Sequence, residues 1–314
     1  MAFEGRIGHI EGIESPWGNA GGVVKRIEEV ERMAQTGVGW IEAGSYTLEP
    51  RPGNSPNLEE IYYHDPQTGE TTNSLGMPNQ GLDALIEDLP EMAQIAHTHN
   101  KPLIVNVAPV SEDPATEVLE MVSRIEETEA DGVLVNGGCP NVIVADGGRH
   151  ELLSRNAPEF GRVLFTLAED NPDRKVMVRV SPREDFDAGK KMYQMVVQSG
   201  VVSAVFTPNT WPGFAPTDAA GEHRLKVPGG VGGRSGPVMF EETAKELTGA
   251  WFGLYKEGID YVASSSIMGA YALSKFVDRM GAVAGAGTTS FYEPKNGWAE
   301  DVDRLLNEYA SITG

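Results

Sequence analysis

Asparagines recur where short apolar runs of this chain end, at Asn19, Asn106, Asn136 and Asn209, and again at Asn73 and Asn141 in polar stretches between runs. Each amide carries two N–H donors and one carbonyl acceptor, so several of them together suit a flat ligand with alternating C=O and N–H groups, such as a pyrimidine-like ring. Asn is also an ordinary turn residue, so only their convergence carries weight. The one cysteine, Cys139, lies in Asn136-Gly137-Gly138-Cys139-Pro140-Asn141. A lone cysteine is commonly a small core residue, but glycine and asparagine on both sides make a reactive thiol an equal reading. Gly229-Gly230-Val231-Gly232-Gly233-Arg234-Ser235-Gly236 precedes a helical pattern, where bare backbone N–H groups make a phosphate site or the run is simply a flexible loop. The histidines lack metal-ligand spacing, and no Ser-His-Asp or two-carboxylate arrangement stands out, so no metal is expected.

Such residues act together only if the fold gathers them. Apolar runs rich in Val, Ile and Ala cover 16–20, 38–43, 102–107, 132–136, 176–180, 203–207, 260–264 and 282–286. Between them lie stretches with apolar residues three and four apart, such as Val24, Ile27, Val30 and Met33, or Leu85, Leu89, Met92 and Ile95. Others cover 115–130, 159–169, 188–199, 239–255, 271–280 and 299–309. Strands alternating with helices indicate a parallel sheet with crossover helices. Eight such units in 314 residues predict an α/β protein, a (β/α)8 barrel of the triosephosphate-isomerase (TIM) type, as one domain over residues 1–314. In such a barrel the strand C-termini meet at one mouth. Asn19 to Gly22, Ser45, Asn106, Asn136 with Cys139, Arg179, Asn209, Ser264 to Ser266 and Gly287-Thr288 would then line it. The connections 47–82 and 208–235 are too long for turns and follow strand C-termini, as functional loops do.

Composition narrows the function classes. With 40% hydrophobic and 23% charged residues the chain is globular and able to bury a large core. Its 46 acidic against 25 basic residues leave a formal charge of −21, which would repel nucleic-acid phosphates and anionic lipid. One cysteine precludes an intramolecular disulfide and a multi-cysteine metal or cluster site. No window resembles a membrane span or a secretory leader, so a cytoplasmic protein acting on a small molecule is expected, with neither nucleic acid nor membrane as partner.

These motifs resemble the dihydroorotate dehydrogenases, specifically their soluble class. Thr47-Leu48-Glu49-Pro50-Arg51-Pro52-Gly53-Asn54, Asn73-Ser74-Leu75-Gly76-Met77-Pro78-Asn79-Gln80-Gly81, Cys139-Pro140-Asn141-Val142 and the Gly229 to Gly233 run carry the likeness, with weaker similarity from about Ser15 to Thr288. The resemblance implies oxidation of dihydroorotate to orotate in pyrimidine biosynthesis, with FMN over the barrel mouth. It makes Cys139 the base that removes the C5 proton while hydride leaves C6 for the flavin. It also implies that Asn73, Leu75, Gly76, Met77, Asn136, Asn141, Asn209 and Thr210 bind substrate. FMN would contact Ala20, Gly21, Gly22, Ser45, Asn136, Arg179, Gly232, Gly233, Ser265, Ser266, Gly287 and Thr288. A homodimer and fumarate as electron acceptor follow from the same likeness.

The pattern departs from the family in places. The family has a lysine where Gly44 stands and another where Arg179 stands, and paired glycines at Ser265-Ser266. A lysine at 44 would be expected to tighten substrate binding. The alternatives are a barrel that binds a small metabolite without flavin chemistry, favoured by Gly44 and Ser264 to Ser266, or a flavin reductase with another substrate.

Overall fold

The computed structural model describes residues 5–143, 148–183, 185–254, 257–267, 269–287 and 297–313. The predicted strands are present as β1 (Trp17–Asn19), β2 (Ile41–Tyr46), β3 (Leu103–Val107), β4 (Gly132–Asn136), β5 (Val176–Arg179), β6 (Val202–Thr207), β7 (Asp260–Ser264) and β8 (Ala284–Gly287). They form one parallel sheet in the order β1-β8-β7-β6-β5-β4-β3-β2. Between β1 and β2, Gly39 N donates to Trp17 O at 2.8 Å and Val24 bridges Ala43 in parallel, so the sheet curls into a nearly closed TIM barrel.

Helices on the outside connect the strands: α1 (Ile27–Ala34), α2 (Leu82–Thr98), α3 (Pro114–Glu126), α4 (Ala157–Asp170), α5 (Phe186–Ser199), α6 (Phe240–Leu254), α7 (Ala270–Ser274) and α8 (Trp298–Thr313). The two-residue strand period divides the core in two. In β3 and β5, Leu103, Val105, Val176 and Val178 face the helices and join the larger apolar cluster. Ile104 and Met177 point inward and join Leu134, Ala204, Phe206, Val262, Ala284 and Ala286. An antiparallel hairpin, Gly5–Ile7 with Ile10–Ile13, adds Ile7, Ile10 and Ile13 to that inner cluster. Gly8 N bonds Asp260 Oδ2 at 2.9 Å, and Asp260 opens β7, so the hairpin plugs the N-terminal end of the barrel.

One expectation needs correction. The first helix does not begin at Val24, because Val24 pairs with β2 and its carbonyl accepts from Gly44 N at 2.8 Å; the helix starts at Ile27. The two long connections carry secondary structure of their own. They hold the short helix Leu58–Ile61 and a four-stranded antiparallel sheet in the order Trp211–Phe214, Val231–Ser235, Thr71–Asn73, Tyr62–His64, set beside the mouth.

Candidate active site

Toward the C-terminal ends of β2 to β5 the inward positions turn from apolar to polar: Glu42, Asn106, Asn136 and Arg179 are all buried. Glu42 is fully buried and faces Arg179 in a fork-to-fork pair, Nη1 to Oε1 and Nη2 to Oε2, the latter at 2.7 Å. Asn106 Nδ2 donates to the same carboxylate at 2.5 Å, while Asn19 clasps the Glu42 backbone, donating to its carbonyl at 2.7 Å and accepting from its amide at 3.0 Å. The Arg179 guanidinium also lies 5.2 Å from the centre of the Phe206 ring. A buried guanidinium needs such a partner, since an unpaired charge out of water costs several kcal/mol.

Above this pair lies a cavity of about 1000 Å³, counting its open mouth. It is the kind of concave site with convergent polar groups that small ligands occupy. The structure brings to it Ala20, Gly21, Gly22, Ser45, Asn73, Leu75, Gly76, Met77, Asn136, Cys139, Asn141, Arg179, Asn209, Thr210, Ser265, Ser266 and Gly287. The amides form two linked sets. Asn136 donates to Ser45 Oγ at 3.0 Å and accepts from Gly138 N and Asn209 Nδ2, both at 3.1 Å. Asn141 Nδ2 donates to Asn73 Oδ1 at 2.7 Å, which leaves Asn141 Oδ1 without a partner among the described residues. That buried acceptor is available to a ligand N–H.

Cys139 is half-buried beside these amides. Burial pushes its thiol up; the Asn141 backbone N–H and the charges of Lys25, Arg51 and Arg149 pull it down, but burial wins. The thiol is therefore protonated at neutral pH.

At β7 the three serines have separate duties. Ser264 Oγ donates to Pro208 O at 2.7 Å and Ser266 Oγ pairs with Thr243 Oγ1 at 2.9 Å, whereas the buried Ser265 Oγ has no partner among the described residues. Ser265 and Ser266 hold φ of 62° and 56°, the left-handed conformation that glycine adopts most easily. The two serines thus hold a backbone conformation that suits glycine, and Ser265 brings to the cavity wall a hydroxyl without a partner among the described residues.

Gly232 and Gly233 are not part of the cavity lining; they lie in the strand Val231–Ser235. Gly233 pairs with Asn73, and a Cβ at 232 or 233 would overlap Asn73 O or the Thr210 side chain. These glycines let the strand approach the residues that line the cavity, and Ser235, two positions on, reaches it instead. Thr288 and residues 144–147 lie outside the described residues. Gly44 has φ of 132°, and a Cβ there would overlap Asn106 O. Position 44 thus has no room for the lysine that the resemblance leads one to look for.

Sequence reasoning missed Glu42 and Lys25. Glu42 was detectable: an acid at an inward position of a buried parallel strand demands a cation, and Arg179 is the matching inward residue of β5. Lys25 sat within a helical pattern and gave no such signal. Its side chain nevertheless lines the cavity, where Nζ donates to Pro78 O and burial lowers its pKa to about 8. Among the described residues no group of three or more His, Cys, Asp and Glu side chains is placed to hold a metal, and no helix is long and apolar enough to cross a membrane.

A parallel eight-stranded barrel with an amide-lined pocket at its strand C-termini defines a TIM-barrel protein with the site architecture of an enzyme. The sequence profile of the dihydroorotate dehydrogenase family matches residues 9–267, and the chain belongs to that family of flavin-dependent oxidoreductases. It is 26% identical over 271 residues to a dihydroorotate dehydrogenase (quinone) of Anaeromyxobacter dehalogenans, covering 82% of this chain and 69% of that one. The corresponding Sulfurovum protein is 23% identical over 79% of this chain, a match that spans 66% of the relative's length. A catalytic subunit named dihydroorotate dehydrogenase B (NAD(+)) from Bacillus caldolyticus is 29% identical over 64% of this chain and 58% of its own. The fold resembles that of an Eimeria tenella dihydroorotate dehydrogenase solved with ferulenol, with a TM-score of 0.79 and 17% identity over 98% of this chain and 84% of that one.

Proposed function

We propose that this protein oxidises dihydroorotate, or a close pyrimidine analogue, to orotate with FMN as cofactor. The observation that carries the reading is one cavity holding a thiol, Cys139, together with Asn73, Asn136, Asn141 and Asn209, one of whose amide oxygens is buried and has no partner among the described residues. A planar ring with imide N–H and C=O groups satisfies such a set.

The residues fit a flavin. Ser265 Oγ, buried and uncommitted, suits a phosphate oxygen, and Ala20, Gly21, Gly22, Ser45, Asn136, Arg179, Ser266 and Gly287 are the wall we assign to FMN. When bound, FMN supplies the acceptor for the hydride that leaves C6. Cys139 Sγ, as thiolate, takes the C5 proton, and Asn73, Asn141, Asn209 and Thr210 hold the ring with the backbone of Leu75, Gly76 and Met77. Curated relatives carry quinone, fumarate and NAD(+) in their names. By its likeness to the soluble class we assign fumarate to this chain, together with a cytoplasmic homodimer.

The test is the visible spectrum of the purified protein followed by anaerobic addition of dihydroorotate. A flavin band that bleaches is the expected result. A flavin that stays oxidised, or a colourless protein that takes up no added FMN, overturns the proposal.

A further inference from the structure

The described lining of the cavity contains two cationic side chains, and they are not equivalent. Arg179 is neutralised by the fully buried Glu42 in a two-pronged pair. Lys25 has no such partner among the described residues: its Nζ donates to the uncharged Pro78 carbonyl, and the nearby Glu29 carboxylate is taken up by the Lys25 backbone N–H at 2.6 Å. A half-buried ammonium whose charge meets only a carbonyl is a prepared site for an anion.

We propose that Lys25 is a substrate-binding residue that receives the carboxylate of the ring substrate. This rests on the oxidation reading above, and it specifies how the ring is oriented.

Three features support it. The carboxylate of dihydroorotate is borne by C6, next to the C5 that gives its proton to Cys139, so the group that binds it must lie close to the thiol. Lys25 and Cys139 are close enough for each charge to perturb the other's ionisation. Pro78 continues the loop whose Leu75, Gly76 and Met77 line the same cavity, and the four carbonyls from Leu75 to Pro78 all accept internal bonds, from Asn54 N, Arg51 Nε, Asn79 Nδ2 and Lys25 Nζ. Repulsive carbonyl oxygens at this end of the cavity are thereby engaged. Finally, position 44, beside Lys25 across the Gly44 N to Val24 O bond, has no space for a side chain that could supply a second cation.

The experiment is calorimetric titration of the flavin-loaded protein with orotate and with uracil, the same ring without the carboxylate, for wild type, Lys25→Met and Lys25→Arg. Wild type should prefer orotate. Lys25→Met should weaken orotate about 10- to 100-fold, the range for losing one charge-assisted bond, and leave uracil affinity and the melting temperature unchanged, while Lys25→Arg keeps most of the orotate affinity. Orotate affinity in Lys25→Met within about twofold of wild type overturns the assignment, as does a wild type that binds orotate no better than uracil. The two proposals fail separately: if Lys25 sets orotate affinity but dihydroorotate leaves the flavin oxidised, the oxidation reading falls and the anion-binding role stands.

Discussion

Cys139 and Glu42 are single residues whose surroundings set opposite tasks. As the base we assign to it, Cys139 would act only as thiolate, and burial holds its pKa above the ordinary thiol value despite Lys25, Arg51 and Arg149. The deprotonated fraction therefore grows as pH rises, and turnover under saturating substrate should climb past pH ~8.5, where an unperturbed thiol is already half ionised. Cys139→Ala should keep the flavin and lose about 10²- to 10⁴-fold in turnover, the usual worth of a positioned base. Stopped-flow flavin reduction across pH checks both; a flat profile or undiminished reduction in the variant removes Cys139 from the chemistry. Glu42 instead serves through the fork-to-fork pair it makes with Arg179. Glu42→Ala leaves the Arg179 guanidinium buried without its carboxylate, which should cost about 3 to 5 kcal/mol in denaturant unfolding. A loss below about 1 kcal/mol would mean that water reaches the site and screens the pair.

At the scale of elements, the close contact of β2 with β3 decides what position 44 tolerates. Gly44 faces Asn106 O across the strand pair with φ of 132°, so any side chain must push β3 aside or change the local backbone. Gly44→Ala should therefore destabilise by about 1 to 3 kcal/mol, and Gly44→Lys should destabilise rather than tighten substrate binding. Thermal unfolding of both variants is the measurement, and an unchanged melting temperature in Gly44→Ala would show that the strand pair opens cheaply. The same elements explain what was legible beforehand. Buried parallel strands read as Val- and Ile-rich runs, so the barrel and most of its mouth could be written down from periodicity. The small sheet could not: Thr71-Thr72-Asn73 and Val231 to Ser235 are short and partly polar, and they pair across roughly 160 residues of chain. Gly232 and Gly233 suggested a phosphate loop because glycine marks any close backbone approach, and here the approaching group is another strand and Thr210. Lys25 was hidden for a third reason, since its place depends on Val24 pairing with β2 instead of opening a helix.

The molecule as a whole carries a formal charge of −21, while the substrate we assign to it is an anion. The long-range field thus opposes the approach of dihydroorotate, and only the short-range charge of Lys25, whose Nζ donates to the Pro78 carbonyl, favours it inside the cavity. These two contributions respond differently to salt. At about 0.01 M ionic strength the screening length is about 30 Å and the repulsion of the whole surface reaches the mouth; at about 0.15 M it shrinks to about 8 Å. The contact with Lys25, made at hydrogen-bond range in a half-buried pocket, is screened far less over that interval. Added salt should therefore raise kcat/KM for dihydroorotate, by about twofold or more between these conditions, with kcat nearly constant. In most anion-binding enzymes, where a positive field steers the ligand, salt has the opposite effect, so a fall in kcat/KM would mean that a basic funnel at the mouth outweighs the acidic surface. Repeating the titration with Lys25→Met separates the two ranges: the variant should bind more weakly at every ionic strength, yet show the same upward slope, because the slope belongs to the surface and the offset to one side chain.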